Sequence, residues 1–181
     1  RVGTVDAADR DDLEGRHHQP MNVQWGGTLE ALRAALTAQG WRTPAAFDPV
    51  SAMNWLAPEP VIDDMPVLPE VHDGRHEELL MIAPRPAGEA TLTVLRLWPS
   101  GLELAEANTP LWLGKVTQLF VDDRVPLLRY LVTGDEHAAP LETLADDLRH
   151  ARGIQTRILT RSGHGHVPGW QGRVLLAWEW L

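Results

Sequence analysis

The 181-residue chain contains no cysteine, which removes disulfides, thiolate metal sites and thiol nucleophiles together. Compartment stays open, because exported and cytosolic domains can both lack cysteine. Serine is nearly as scarce. Ser51, Ser100 and Ser162 are the only three, and none stands in a G-x-S-x-G elbow or an S-x-x-K frame, which disfavours serine-hydrolase chemistry. Neither G-x-G-x-x-G nor G-x-x-x-x-G-K-[ST] occurs, so nothing supports a nucleotide-binding loop. No apolar run approaches the ~18–20 residues of a membrane-spanning helix. Lysine is reduced to Lys115 beside fifteen arginines, a skew that genome base composition explains. Phe and Tyr are rare too, at two and one, whereas there are eight Trp, whose usual place is the core with the indole N–H bonded.

What remains is ordinary globular material, 44% hydrophobic and 23% charged, long enough for a single domain with its own core. The net charge of −9 disfavours nucleic-acid binding, since phosphate affinity comes from clustered cations. The chain opens at Arg1 without the pattern of a signal peptide and is expected to be an excised piece. Residues 1–19 read as an acidic linker or arm, with one domain over 20–181.

Periodicity predicts three helices. Leu29, Leu32 and Leu36 make one amphipathic face between Thr28 and Gln39, closed by Gly40. Asp48-Pro49 caps a shorter helix with Val50, Met53 and Leu56 on one side, and Pro140–Arg152 forms the third with Leu141, Leu144 and Leu148 inward. Strands are expected at Asn22–Trp25, Glu78–Ala83, Thr91–Trp98, Leu111–Val121, Leu127–Val132, Ile154–Leu159 and Val174–Leu181. Four prolines make Pro58–Pro69 an extended loop, and turns are expected at Pro84–Gly88 and Pro99–Gly101. The fold class is therefore α+β: a mainly antiparallel sheet of about five to seven strands with about three helices packed on it.

The densest polar constellation is His72-Asp73-Gly74-Arg75-His76-Glu77. Imidazoles, carboxylates and a guanidinium this close can hold a polar or phosphate-bearing ligand, bind a divalent metal, or supply an acid/base pair. Asp73-Gly74 is also a plain turn signal. Arg96 interrupts the face shared by Leu92, Val94 and Trp98, so it either reaches to the sheet edge or pairs with an acid in a cleft. In Leu111-Trp112-Leu113-Gly114 the glycine permits close backbone approach, and packing explains Trp178 and Trp180. His164-Gly165-His166 reads as a solvated connection between the last strands, and His17-His18 as an exposed part of the arm.

An ordered set of short motifs carries a resemblance. Pro20-Met21-Asn22-Val23-Gln24-Trp25 with the following helix and Gly40-Trp41, then Leu68-Pro69, the His72–Glu77 run, Leu95–Ser100 and Pro110–Gly114, resemble the LssY C-terminal domain family over roughly residues 20–150. The resemblance implies a bacterial accessory domain whose biochemical role is unassigned. It also implies tethering to a membrane-embedded region of the same polypeptide, of DedA or type-2 phosphatidic-acid phosphatase type, on the periplasmic face. Where family members often carry a His-His-Ile-Asp-Pro-Asp segment, this chain has Gly134-Asp135-Glu136-His137. The expected function is ligand or partner binding, without cofactor, at His72, Asp73, Arg75, His76 and Arg96. One alternative is a metal-assisted phosphoesterase or other hydrolase, with His72, Asp73, His76 and His137 on a divalent metal and Glu77 as base. A structural or oligomerisation module is the other.

Overall fold

The computed structural model describes residues 19–105, 108–125, 127–162 and 167–180. The expectations for the arm before residue 19, including His17-His18, and for His164-Gly165-His166 lie outside the described residues.

Alternation of apolar and polar residues builds the strands, and nine are present among the described residues: β1 (Val23–Gly26), β2 (Val71–His72), β3 (Arg75–His76), β4 (Leu79–Ile82), β5 (Thr91–Leu104), β6 (Thr109–Val125), β7 (Leu128–Thr133), β8 (Ile154–Thr160) and β9 (Arg173–Glu179). Seven join one sheet in the order β4-β5-β6-β1-β9-β8, with β7 also on β6, while β2 and β3 form a separate hairpin. The sheet is antiparallel except for the β1–β9 pair, which is parallel. The α+β expectation holds, with that parallel pair as its one departure. No helix among the described residues is long and apolar enough to cross a membrane.

The helices are α1 (Leu29–Ala38), α2 (Pro49–Ala52) and α3 (Ala138–Arg149). Thr28 caps α1 by accepting the Ala31 N–H, and Leu32 and Leu36 enter the core as the periodicity requires. There they meet Leu141, Leu144 and Leu148 of α3 and one face of the sheet, including Val23, Trp25, Leu95, Leu97, Val116 and Leu175. Each such leucine contributes about 1.5–3 kcal/mol by leaving water. The indole N–H groups of Trp25, Trp41, Trp112 and Trp170 donate to oxygen, whereas those of Trp55 and Trp98 are buried without a hydrogen-bond partner.

The opposite sheet face carries Leu92, Val94, Leu119 and Leu131, covered by Met65 and Val67 from the proline-rich loop. Asp63 anchors that loop by pairing with Arg85 at 2.7 Å and Arg42 at 3.4 Å.

Three expectations need correction. α2 begins at its Asp48 capping box, but at Met53 it tightens into a 3₁₀ turn, and Val50, Met53 and Leu56 face solvent, with Val50 78% exposed. Trp55 is the inward anchor instead, its ring 5.5 Å from Phe47 and 6.5 Å from Tyr130, because a turn of three residues aligns i and i+3 away from the sheet. Pro99–Gly101 is not a turn between strands: β5 runs through it with a register shift between Pro99 and Leu102. Trp180 lies beyond β9 and is 65% exposed, so packing does not account for it.

Gly114 shows why its position excludes a side chain. A Cβ there would stand 2.2 Å from the Arg96 carbonyl oxygen. β5 and β6 approach this closely only over glycine.

Candidate functional site

The site arises from an edge that β6 shares between two partners. Its first half pairs with β1 as far as Val23 opposite Gly114, and its second half with β7 from Leu119 opposite Thr133. Between them the ladder is completed by other groups. The Asn22 side-chain amide accepts the Val116 N–H and donates to the Val116 carbonyl, and the Gly134 N–H donates to the Gln118 carbonyl. A cleft of about 710 Å³ opens at this divergence, and Gln19, Glu70, Arg96, Thr133, Asp135 and His137 bring polar atoms to it.

Beside the cleft lies a buried ionic quartet. Arg96 of β5 and Lys115 of β6 stand directly opposite each other, each 2% exposed. Like charges facing across a ladder repel, so this register requires anions. Glu70 spans both cations, 3.3 Å from Arg96 Nη1 and 2.6 Å from Lys115 Nζ. Glu77 lies 3.7 Å from Arg96 Nε and accepts the Glu70 N–H at 2.9 Å. Arg96 Nη2 donates to the Leu68 carbonyl at 2.8 Å, and Lys115 donates to Gln19. Two cations and two carboxylates thus neutralise one another, Arg96, Lys115 and Glu77 almost out of water and Glu70 at the cleft, the condition under which buried ions are tolerated. Of the two readings for Arg96, pairing with acids in a cleft is the observed one.

The sequence constellation is only partly drawn in. Asp73 and Gly74 both have positive φ, 48° and 74°, and form the two-residue turn of the β2–β3 hairpin. Val71 faces His76 across it and His72 faces Arg75. Because side chains alternate along a strand, His72 and His76 point to opposite faces. His72 is half-buried, its ring 5.8 Å from that of Trp98, while Asp73, Arg75 and His76 are exposed. Of the five expected groove residues, Arg96 alone lines the cleft. The hairpin instead carries Glu77 inward. The ligand set of the metal alternative is not assembled: among the described residues no three His, Asp or Glu side chains are placed to hold an ion. Glu77, the base in that alternative, directs one oxygen to the Glu70 N–H and the other to Arg96.

His137 does reach the cleft, at the start of α3, and is 4% exposed. It is spared the capping role, because Glu136 accepts the N–H groups of Ala138 and Ala139. Burial holds its imidazole below the ordinary histidine value, with Lys115 adding to the shift and Asp135, Glu136 and a hydrogen bond to the Pro168 carbonyl opposing it. The ring is therefore neutral at pH 7, with Nδ1 left without a hydrogen-bond partner. Gly169, at φ +74°, permits this packing, since a Cβ there would lie 1.9 Å from the Asp135 carbonyl oxygen. At the rim Arg124 binds Asp122 and draws its carboxyl down to about 2, chiefly through side-chain hydrogen bonds.

Glu70, Lys115 and Gln19 were not legible as site residues. The available signal was a lone lysine inside an apolar strand, between Gly114 and Val116.

The family described as LssY C-terminus matches this sequence over residues 4–132, well over half of the chain. The chain belongs to the LssY C-terminal family. The matched region contains the whole ionic quartet but ends before His137, so the LssY C-terminal match is shorter at that end than the motifs suggested, and it begins earlier, within the segment read as an arm. Curated proteins and solved structures yielded no match.

Proposed function

We propose that this LssY C-terminal domain is an accessory binding module that takes a small polar ligand in the cleft lined by β6, β7 and the end of the proline-rich loop. The observation that carries this reading is the buried quartet of Glu70, Glu77, Arg96 and Lys115 set beside an open cleft. Charges withdrawn from water at this cost are more economically replaced by apolar side chains when only stability is at issue. Held rigid against a cleft, they present fixed donors and acceptors to whatever enters. The commitments of Glu77 favour holding a ligand over moving its protons. Within the whole protein, the module would belong to a membrane-embedded, phosphatase-like polypeptide and work at the periplasmic face, supplying recognition to a neighbouring part.

Amide chemical-shift mapping with a library of small polar fragments tests this. Hits should perturb residues 68–70 and 133–137. Fragments that move only the His72–His76 hairpin, or nothing at the cleft, would overturn the reading.

A further inference from the structure

We propose that Lys115 and Gln19 join in an intramolecular isopeptide bond, formed by the folded chain itself with Glu70 as the proton carrier. The three groups are already in contact. Lys115, 2% exposed on β6, donates to the Gln19 side-chain carbonyl and lies 2.6 Å from Glu70. The electrophilic carboxamide carbon is one bond beyond the oxygen that the amine touches. Reactants held in this way react as one molecule, with effective concentrations of about 10⁵–10⁸ M. Lysine attacks only as the free amine, and a neighbouring cation or a site withdrawn from water favours that form. Both conditions are met, because Arg96 stands directly opposite Lys115 on β5 and both side chains are buried.

The step balances within the quartet and Gln19. Glu70 takes one ammonium proton, the freed amine nitrogen attacks Gln19 Cδ, and a second proton passes to the departing NH₂, which leaves as ammonia. One C–N bond forms and one breaks, nothing is oxidised or reduced, and the third proton stays on the new amide nitrogen. Gln19 and Glu70 line the open cleft, which gives ammonia a way out. Glu77 is accounted for as well. Before the reaction two carboxylates answer Arg96 and Lys115; after it Glu70 is protonated, Lys115 is part of an uncharged amide, and Glu77 alone answers Arg96. The group is neutral in both states, as buried charges require. The bond spans 96 positions, from the segment entering β1 to β6, and fastens that segment to the sheet. The reaction needs no ligand in the cleft.

The experiment is intact-mass spectrometry on the folded full chain, followed by denaturation and digestion at lysine. The chain should weigh less than its sequence by one ammonia. Because Lys115 is its only lysine, a lysine-specific protease should leave the cross-linked chain whole and cut an unlinked one in two. A chymotryptic digest should contain one branched peptide joining residues 19 and 115. Gln19→Ala, at a half-buried position, and Glu70→Gln should each show the full mass of their sequences and be cut at Lys115, with circular dichroism confirming that they are folded. A parent chain of unreduced mass that is cut completely would overturn the proposal, whatever the variants do. Loss of ammonia that persists in Gln19→Ala would overturn the assignment to Gln19. A bond that still forms in folded Glu70→Gln would overturn the role of Glu70.

Discussion

Replacing Arg96 by methionine removes one member of the quartet while keeping most of its volume. Glu77 would lose its cation and keep the Glu70 N–H, Glu70 would keep Lys115, and the Leu68 carbonyl would lose its donor. Removing one partner of a buried pair costs about 3–5 kcal/mol, because the other charge is left uncompensated. Against a total stability of about 5–15 kcal/mol this is a large fraction. For a domain of this size it lowers Tm by roughly 6–20 °C. Urea titration followed by tryptophan fluorescence gives the free energy, and an unchanged m-value shows that the variant still unfolds from a compact state. The double variant Arg96→Met, Glu77→Gln tests the cause, since removing both charges should recover at least about 1 kcal/mol relative to the sum of the single changes. An Arg96→Met protein within about 1 kcal/mol of the parent, or a cycle with no coupling, would refute the claim that these charges are buried and interdependent.

Other outcomes follow from the same structure. Gly114→Ala should be destabilised by more than about 3 kcal/mol or fail to fold, because its Cβ would collide with the Arg96 carbonyl on the neighbouring strand; equilibrium unfolding measures this, and a neutral result would mean that β5 and β6 are free to separate. For His137 the folded value is depressed, so between the ordinary value near 6.5 and the lower folded one the unfolded chain binds the extra proton. Stability should therefore fall as pH drops through that window and level off below it. Urea midpoints at pH 7.5 and 5.5 should differ less in His137→Asn than in the parent, and equal differences would count against the burial argument. Arg75→Ala, at an exposed hairpin position, should change stability by less than about 0.5 kcal/mol and leave fragment binding at the cleft intact; loss of binding would return the hairpin to the recognition surface.

Local chemistry made much of the architecture legible. The leucine spacing of α1 and α3, the Asp48-Pro49 start and the Asp73-Gly74 turn each depend on neighbours within a few residues, and the structure keeps all of them. Even the anomaly of Arg96 on an apolar face was visible, with an acidic partner as one of its two readings. Residues 72–77 looked like the site because charge density along a chain is conspicuous. Their actual arrangement follows from hairpin register, which turns His72 and His76 to opposite faces.

Sequence by itself thus determined most of the elements, the α+β class, the family motifs and the exclusion of thiol chemistry, because each rests on short-range order or on composition. Tertiary structure alone decided where α2 turns its apolar side, since that depends on which residue anchors it to the sheet. It also decided the site. Glu70 lies 26 residues before Arg96 and 45 before Lys115, and no periodicity links them. Only the β5–β6 register sets the two cations opposite each other, and only the path of the proline-rich loop brings Glu70 between them. Burial then fixes the outcome: in a medium that hydrates ions poorly, charges placed so close together hold the fold only when each finds its opposite.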